Sequence, residues 1–378
     1  MPRRILVSSE AGPRNADART SLPDFVQPQL ATLVNSVPPG DDWLHELKFD
    51  GYRILCRIEN GRASFLTREA QDWTHRFKAL AKVTEGLGAR QLLLDGEVVA
   101  LGPDGINDFQ LLQNSLRQNV SSNLVYYVFD LLHLDGRNLL AAPLLTRKEE
   151  LKRLVSKPKR SESAAGALRY SEHWVGQGEA LFSRACEMGL EGILSKRKDQ
   201  PYRSGRSKDW LKIKCLKSQE FVIGGFTDPA GSRTDLGALL LGVYAGAGDL
   251  RYAGRVGTGF NNKTLSDLRT RLDRIENKST PFTNPPTGAD ARGVHWVKPQ
   301  LVCEIAFTGW TSDALLRHPS FKGLREDKPA EKVIRETAVP PPASKSSSTT
   351  PAVRRSRRGN QSDEKPKTKT SRKPRGTS

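Results

Sequence analysis

No run of this chain approaches the roughly 20 apolar residues that a helix needs to cross a bilayer, and the opening Met1-Pro2-Arg3-Arg4 is not followed by the apolar core of a secretory signal. A cytosolic, nucleoid-associated protein with no membrane partner is expected. Cysteine is also sparse. Cys56, Cys186, Cys215 and Cys303 are far apart and form no C-x-x-C pair, so neither a zinc ribbon nor a disulfide framework is indicated, and reduced core thiols are expected. Acidic residues fall short of basic ones, 42 against 60, giving a formal net charge of +18. So wide a positive field favours a polyanionic partner such as nucleic acid over an acidic small molecule, although a merely soluble basic protein has the same composition. Internal repeats are absent.

The 378 residues present, 37% of them hydrophobic, suffice for two cores. Half of the charge excess lies at the C-terminus, where residues 337–378 carry eleven Lys or Arg against Asp363 and Glu364. With Pro340-Pro341-Pro342, a Ser/Thr run and few apolar side chains, this segment cannot bury enough surface to order itself, and a disordered, DNA-tethering tail is expected. A flexible segment is likewise expected over 1–23. Between them, 51–57, 92–101 and 125–132 read as strands, and 73–83 and 179–188 as helices, with Gly189 as a helix stop. Strands and helices mix without strict βαβ alternation, which indicates an α+β domain over 24–217. After Lys217 the strands 220–226, 237–244, 250–256 and 301–310, with one helix near 265–275, give a small β-barrel pattern over 218–336. Gly254-Arg255-Val256-Gly257-Thr258-Gly259 lacks the βαβ setting of a dinucleotide loop and reads as a barrel loop near DNA.

Lys48, in Glu46-Leu47-Lys48-Phe49-Asp50-Gly51, reads in isolation as an exposed lysine before a tight turn. An amine becomes a nucleophile near neutral pH only if it is desolvated or set among other cations. In Asp209-Trp210-Leu211-Lys212-Ile213-Lys214 two lysines project from one strand face with Leu211 and Ile213 opposite, an arrangement suited to a phosphate. Leu94-Asp95-Gly96-Glu97, Phe129-Asp130-Leu131-Leu132 and Glu191-Gly192-Ile193-Leu194-Ser195-Lys196 each set carboxylates among apolar strand residues, as a hard divalent cation bridging to phosphate requires. Singly, each acid also fits a turn paired with a nearby arginine.

In order and spacing these segments resemble the successive motifs of covalent nucleotidyltransferases. More narrowly, Trp43-Leu44-His45-Glu46, Tyr202-Arg203-Ser204-Gly205-Arg206-Ser207 and 318–329 resemble the ligase portion of bacterial ligase D enzymes, with coverage from about Leu22 to Glu336. The resemblance implies an ATP-dependent DNA ligase with a nucleotidyltransferase (ATP-grasp-like) domain of antiparallel sheets and helices, followed by an OB-fold β-barrel. It implies that Lys48 attacks the α-phosphorus of ATP and that Glu46 reads the adenine amino group. Phe129 would stack on the base, and Arg53, Arg68 and Glu97 would hold ribose and phosphate. Arg206, Lys212 and Lys214 would neutralise the α-phosphate, Glu97 and Glu191 would bind Mg²⁺ or Mn²⁺, and Arg325, Asp327 and Lys328 would orient pyrophosphate after domain closure.

AMP would then pass to the 5′-phosphate of a nick or joined end in duplex DNA, for the 3′-hydroxyl to displace, in repair by non-homologous end joining. A monomer is expected, with Ku as a possible recruiting partner. Ligase D proteins often carry polymerase and phosphoesterase domains, for which this length leaves no room, so a stand-alone ligase module is expected. One departure stands out: Glu69-Ala70 replaces the usual Asn-Gly after Arg68, which puts that loop's geometry in question. The alternatives are an RNA ligase or capping guanylyltransferase, which share the nucleophile and paired lysines, and a catalytically inactive DNA-end-binding protein. An NAD-dependent ligase is disfavoured because its cysteine-rich zinc module has no counterpart.

Overall fold

Along the strand Tyr52–Glu59 the side chains alternate between two cores. Tyr52, Ile54, Cys56 and Ile58 enter one, while Leu55 enters another with Leu93, Phe129, Leu132, Tyr202 and Trp210. A strand apolar on both faces must be covered on both faces. The computed structural model describes residues 20–156, 166–229 and 235–342, and it shows how this is done.

A six-stranded sheet has the order Arg62–Thr67, Tyr52–Glu59, Gln91–Ala100, Leu124–Leu134, Arg137–Asn138, with Leu168–Tyr170 parallel to Leu124–Leu134. Helices α1 (Lys78–Glu85), α2 (Phe109–Arg117) and α3 (Leu144–Val155) cover one face through Leu80, Phe109, Leu112, Leu151 and Leu154. The other face meets a five-stranded sheet in the order Gln29–Leu33, Gly205–Lys214, Gly192–Arg197, Trp43–Leu47, His173–Val175. Its far side is covered by α4 (Gly178–Glu187), where Leu211 and Ile213 join Trp43, Ala185 and Ile193. Burying each such Leu or Ile is worth roughly 1.5–3 kcal/mol.

Two glycines let backbones approach where no side chain fits. A Cβ at Gly51 would lie 2.2 Å from the Val98 carbonyl oxygen. Gly192, at φ +145°, would place one 2.0 Å from that of Ile213.

From Lys217 onward a separate core forms around Phe221, Ile223, Leu241, Leu268 and Ile305. Its seven-stranded sheet runs Asp249–Val256, Leu239–Gly246, Lys217–Thr227, Val294–Val297, Glu276–Asn277. Val302–Phe307 pairs with Lys217–Thr227 and with Ser320–Leu324, and α5 (Asn262–Asp273) packs against the sheet. Among the described residues these strands do not close into the expected barrel. The long strand Lys217–Thr227 instead splits one edge, pairing first with Val302–Phe307 and then with Val294–Val297.

Three other expectations change. Cys186 and Cys215 are joined by a disulfide, with Cα atoms 5.2 Å apart, whereas Cys56 and Cys303 are buried free thiols. The end of α4 lies over the end of Gly205–Lys214, a proximity that a separation of 29 residues does not reveal. Residues 73–77 are turn rather than helix, so α1 starts at Lys78. The ends are also tied in further than expected. Thr20 N–H donates to the Gly136 carbonyl at 2.8 Å, Leu22 is buried, and Val339 N–H donates to the Leu33 carbonyl at 3.1 Å. Residues 1–19 and 343–378, including most of the basic tail, lie outside the described residues.

No helix among the described residues is long and apolar enough to cross a membrane.

Candidate active site

Lys48 follows the strand Trp43–Leu47, and its N–H donates at 2.9 Å to the carbonyl of Gly192, so the chain is pinned where it leaves the sheet. Its side chain reaches a cavity of about 590 Å³, a volume suited to a nucleotide. Every site residue expected from the sequence lines this cavity.

At its centre the Lys48 ammonium pairs with Glu191, whose other oxygen lies 3.4 Å from Lys214 Nζ. Burial alone would raise the Glu191 carboxyl, but Lys48 and Lys214 outweigh it and hold the group far below its usual range. Lys212 Nζ lies 2.6 Å from Glu336 and is lowered to about 8, first by burial. Lys214 donates to the carbonyl and hydroxyl of Ser218 at 2.9 and 3.1 Å, and its neighbouring carboxylates, Glu191 foremost, keep it protonated. The expected alternation therefore holds, with both ammonium groups in the cavity and Leu211 and Ile213 behind them.

The aromatic end of the cavity is formed by Phe129 and Trp210, packed edge to face at 6.1 Å. Glu46 lies beside them, almost wholly buried. Arg53 is held away from open solvent by a bidentate pair with Asp95 at 2.9 and 2.6 Å, and it donates to the Gln29 carbonyl at 2.7 Å. Tyr202 OH donates to the same Asp95 at 2.7 Å. Arg206 reaches the Ala31 carbonyl.

The second region contributes from across the cleft. Arg325 donates to the Gly51 carbonyl at 3.1 Å and pairs with Asp327 at 3.1 Å. Glu220 gathers Arg68, at 3.0 Å, and Lys328. The Glu69-Ala70 departure resolves in a simple way. Ala70 takes the left-handed conformation, φ +62°, that a glycine would occupy without strain, and Glu69 pairs with Lys332.

Several lining groups were not singled out by the sequence. Glu220, Glu304 and Glu336 come from strand or loop positions with no motif around them. Asp50, Glu97 and Glu304 have no side-chain hydrogen bond or ion pair among the described residues. Burial pushes all three carboxyls up, Glu97 and Glu304 to about 7, with neighbouring Glu191 adding to the effect at Asp50. Among the described residues no three His, Cys, Asp or Glu side chains converge to cage a metal unaided.

Comparison with known proteins gives a consistent picture. A family model described as the ATP dependent DNA ligase domain matches residues 28–214, and one described as the ATP dependent DNA ligase C terminal region matches 232–328. The multifunctional non-homologous end joining protein LigD of Pseudomonas aeruginosa is 42% identical over 326 residues, covering 86% of this chain and 38% of that protein. The LigD protein of Mycobacterium tuberculosis is 36% identical over 316 residues, covering 83% and 40%. The chain thus spans about two-fifths of the length of these relatives. A solved mycobacterial DNA ligase D, complexed with ATP and MES, is 33% identical with a TM-score of 0.58, covering 81% of this chain and 98% of that one.

Proposed function

The chain belongs to the ATP-dependent DNA ligases, and from that premise we propose that it seals nicks or joined ends in duplex DNA through a lysyl-AMP at Lys48. The observation that carries this reading is the convergence of Lys48, Lys212 and Lys214 around Glu191 in one nucleotide-sized cavity with an aromatic end.

An ammonium has no lone pair, so Lys48 must first leave its pair with Glu191 and give up a proton to water. The amine nitrogen then bonds to the α-phosphorus while the bridging bond to the β-phosphate breaks, and pyrophosphate leaves with the electron pair. Lys212 and Lys214 neutralise the charge that builds on the α-phosphate, and such electrostatic placement dominates phosphoryl transfer. Phe129 and Glu46 hold the base. Arg53, tied to Asp95, supports the ribose side, with Arg206 at the rim. Arg68 holds phosphate from the near wall, while Arg325, Asp327 and Lys328 meet the leaving group from the cleft's far wall, where Glu220 holds the cations until phosphate replaces it.

Glu97 fits a divalent cation. Its carboxylate is without a partner among the described residues, and a hard oxygen donor of this kind commonly shares Mg²⁺ or Mn²⁺ with substrate phosphate. Glu191 would share that cation once Lys48 has turned to the nucleotide. The cation would neutralise developing phosphate charge.

AMP then passes to the 5′-phosphate of the broken strand, and the 3′-hydroxyl displaces it. We extend the reading to double-strand-break repair with Ku because the LigD relatives carry end joining in their names. The proposed domain division 24–217 and 218–336 is supported by the core that forms from Lys217 onward, which is separate from those of the first region. The test is incubation with α-labelled ATP or GTP followed by a nick-sealing assay. Label from ATP and sealed product, both lost in Lys48→Ala, are expected; label retained only from GTP would sink the ATP assignment.

A further inference from the structure

We infer that Lys148 and Lys196 keep Glu46 a permanent hydrogen-bond acceptor in the base pocket and thereby select adenine over guanine. The inference rests on the proposed adenylation at Lys48.

Glu46, Lys148 and Lys196 come from a strand, from α3 and from the neighbouring strand Gly192–Arg197, and their side chains are 1%, 0% and 0% exposed. Lys196 Nζ lies 2.8 Å from Glu46 Oε2 and sits over the rings of Phe129 and Trp210, at 4.3 and 4.1 Å. Lys148 Nζ lies 2.7 Å from Oε1, donates to the Ser171 carbonyl at 2.8 Å, and rests over Tyr170 at 4.3 Å. The Lys148–Oε1 pair has ion-pair distance without hydrogen-bond alignment, so Oε1 is buried with no donor of its own.

Two fully buried ammonium groups are costly unless paired, and the phosphate chemistry does not use them. Their effect falls on Glu46. Burial alone would raise this carboxyl and protonate it, but the two lysines hold it below its ordinary range. The other ionisable groups nearby are already committed or neutral. Asp130 is locked to Arg147 at 2.7 and 2.9 Å, and Tyr170 OH is 2.8 Å from His173 Nδ1. His173 and His45 are both lowered by burial, His45 to about 4.

The consequence is chemical. Adenine presents an amino donor where guanine presents a carbonyl acceptor. A carboxylate accepts from the first and repels the second, whereas a protonated carboxyl donates to the second. Lys148 and Lys196 are thus positioning residues, acting on specificity through Glu46.

The test compares initial rates of Lys48 labelling from α-labelled ATP and GTP between about pH 6 and about pH 8, using the full chain and the variants Lys148→Met, Lys196→Met, Lys196→Arg and Glu46→Gln. The wild type and Lys196→Arg should keep a flat ATP preference. In the Met variants the preference should fall by about tenfold or more at the acid end and recover as pH rises. Glu46→Gln should be loosened at every pH. The inference is overturned if the Met variants label with an unchanged ratio at all pH values, or if the wild-type ratio itself collapses at the acid end. If circular dichroism shows the Met variants unfolded, an unchanged ratio in Glu46→Gln overturns it. Absence of label from either nucleotide in the wild type would refute the adenylation reading instead.

Discussion

At the scale of single residues, Lys48 was legible because its motif is local, and Lys212 and Lys214 because strand alternation puts them on one face. Glu220, Glu304 and Glu336 were not legible, since Glu220 and Glu336 pair with residues far away in the chain, Glu304 reaches the cavity only through the fold, and none sits in a distinctive local pattern. Glu304 gives a pH prediction. Its carboxyl is raised from 4.5 to about 7, first by burial, so the folded chain holds a proton that the unfolded chain has released. The stability this contributes is present below the unfolded value and is lost as pH rises through about 7. Glu304→Gln should therefore melt higher than the wild type at pH 8 and lose that advantage near pH 4.5, as thermal denaturation at the two pH values would show. Ala70 offers a second check. A left-handed alanine is strained by about 1–2 kcal/mol and glycine returns part of that as unfolded-state entropy, so Ala70→Gly should stabilise by about 0.5–1 kcal/mol in a urea titration.

At the scale of elements, the long strands and α4 and α5 were readable from period and stop signals, and Gly189 does end α4 in the left-handed region at φ +69°. The stretch 73–77 has helical spacing of apolar residues, yet Trp73 turns in to pack edge to face on Tyr52 at 5.0 Å, and that tertiary packing overrides the periodicity. The open sheet of the second region was equally hidden, because one strand sharing its edge between two partners is a matter of pairing, not pattern. The Cys186–Cys215 link joins α4 to the strand that carries Lys212 and Lys214. Closing a loop of 29 residues is worth about 3.5 kcal/mol by loss of unfolded-state entropy. Cys186→Ser should lower stability by about that amount under oxidising conditions and by far less in reductant, as denaturation with and without a thiol would reveal.

At the scale of the whole molecule, a nucleotidyltransferase region and a C-terminal OB-fold region face one another across a cleft bridged by charged pairs: Arg68 to Glu220 and Asp327, Arg76 to Glu326, and Lys332 to Glu69. The excess positive charge was visible in composition, whereas the pairing of charges across the cleft was not. Val339 bridges to Val34, so the segment up to Pro342 belongs to the folded part. Truncation after Pro342 should leave adenylation intact while weakening DNA binding and flattening its dependence on salt, because every DNA phosphate that the protein ceases to neutralise keeps its own counterion and lowers the slope by about one. Binding isotherms at several salt concentrations would show it; an unchanged slope would assign DNA binding to the folded regions alone.

The central claim is the covalent role of Lys48, and it is tested most directly by mass spectrometry of the purified chain after incubation with ATP and Mg²⁺. A single AMP on the peptide that contains Lys48, removed when nicked DNA is added and absent in Lys48→Ala, is the expected result. An AMP on another residue, or sealing by the Lys48→Ala protein, would contradict the account.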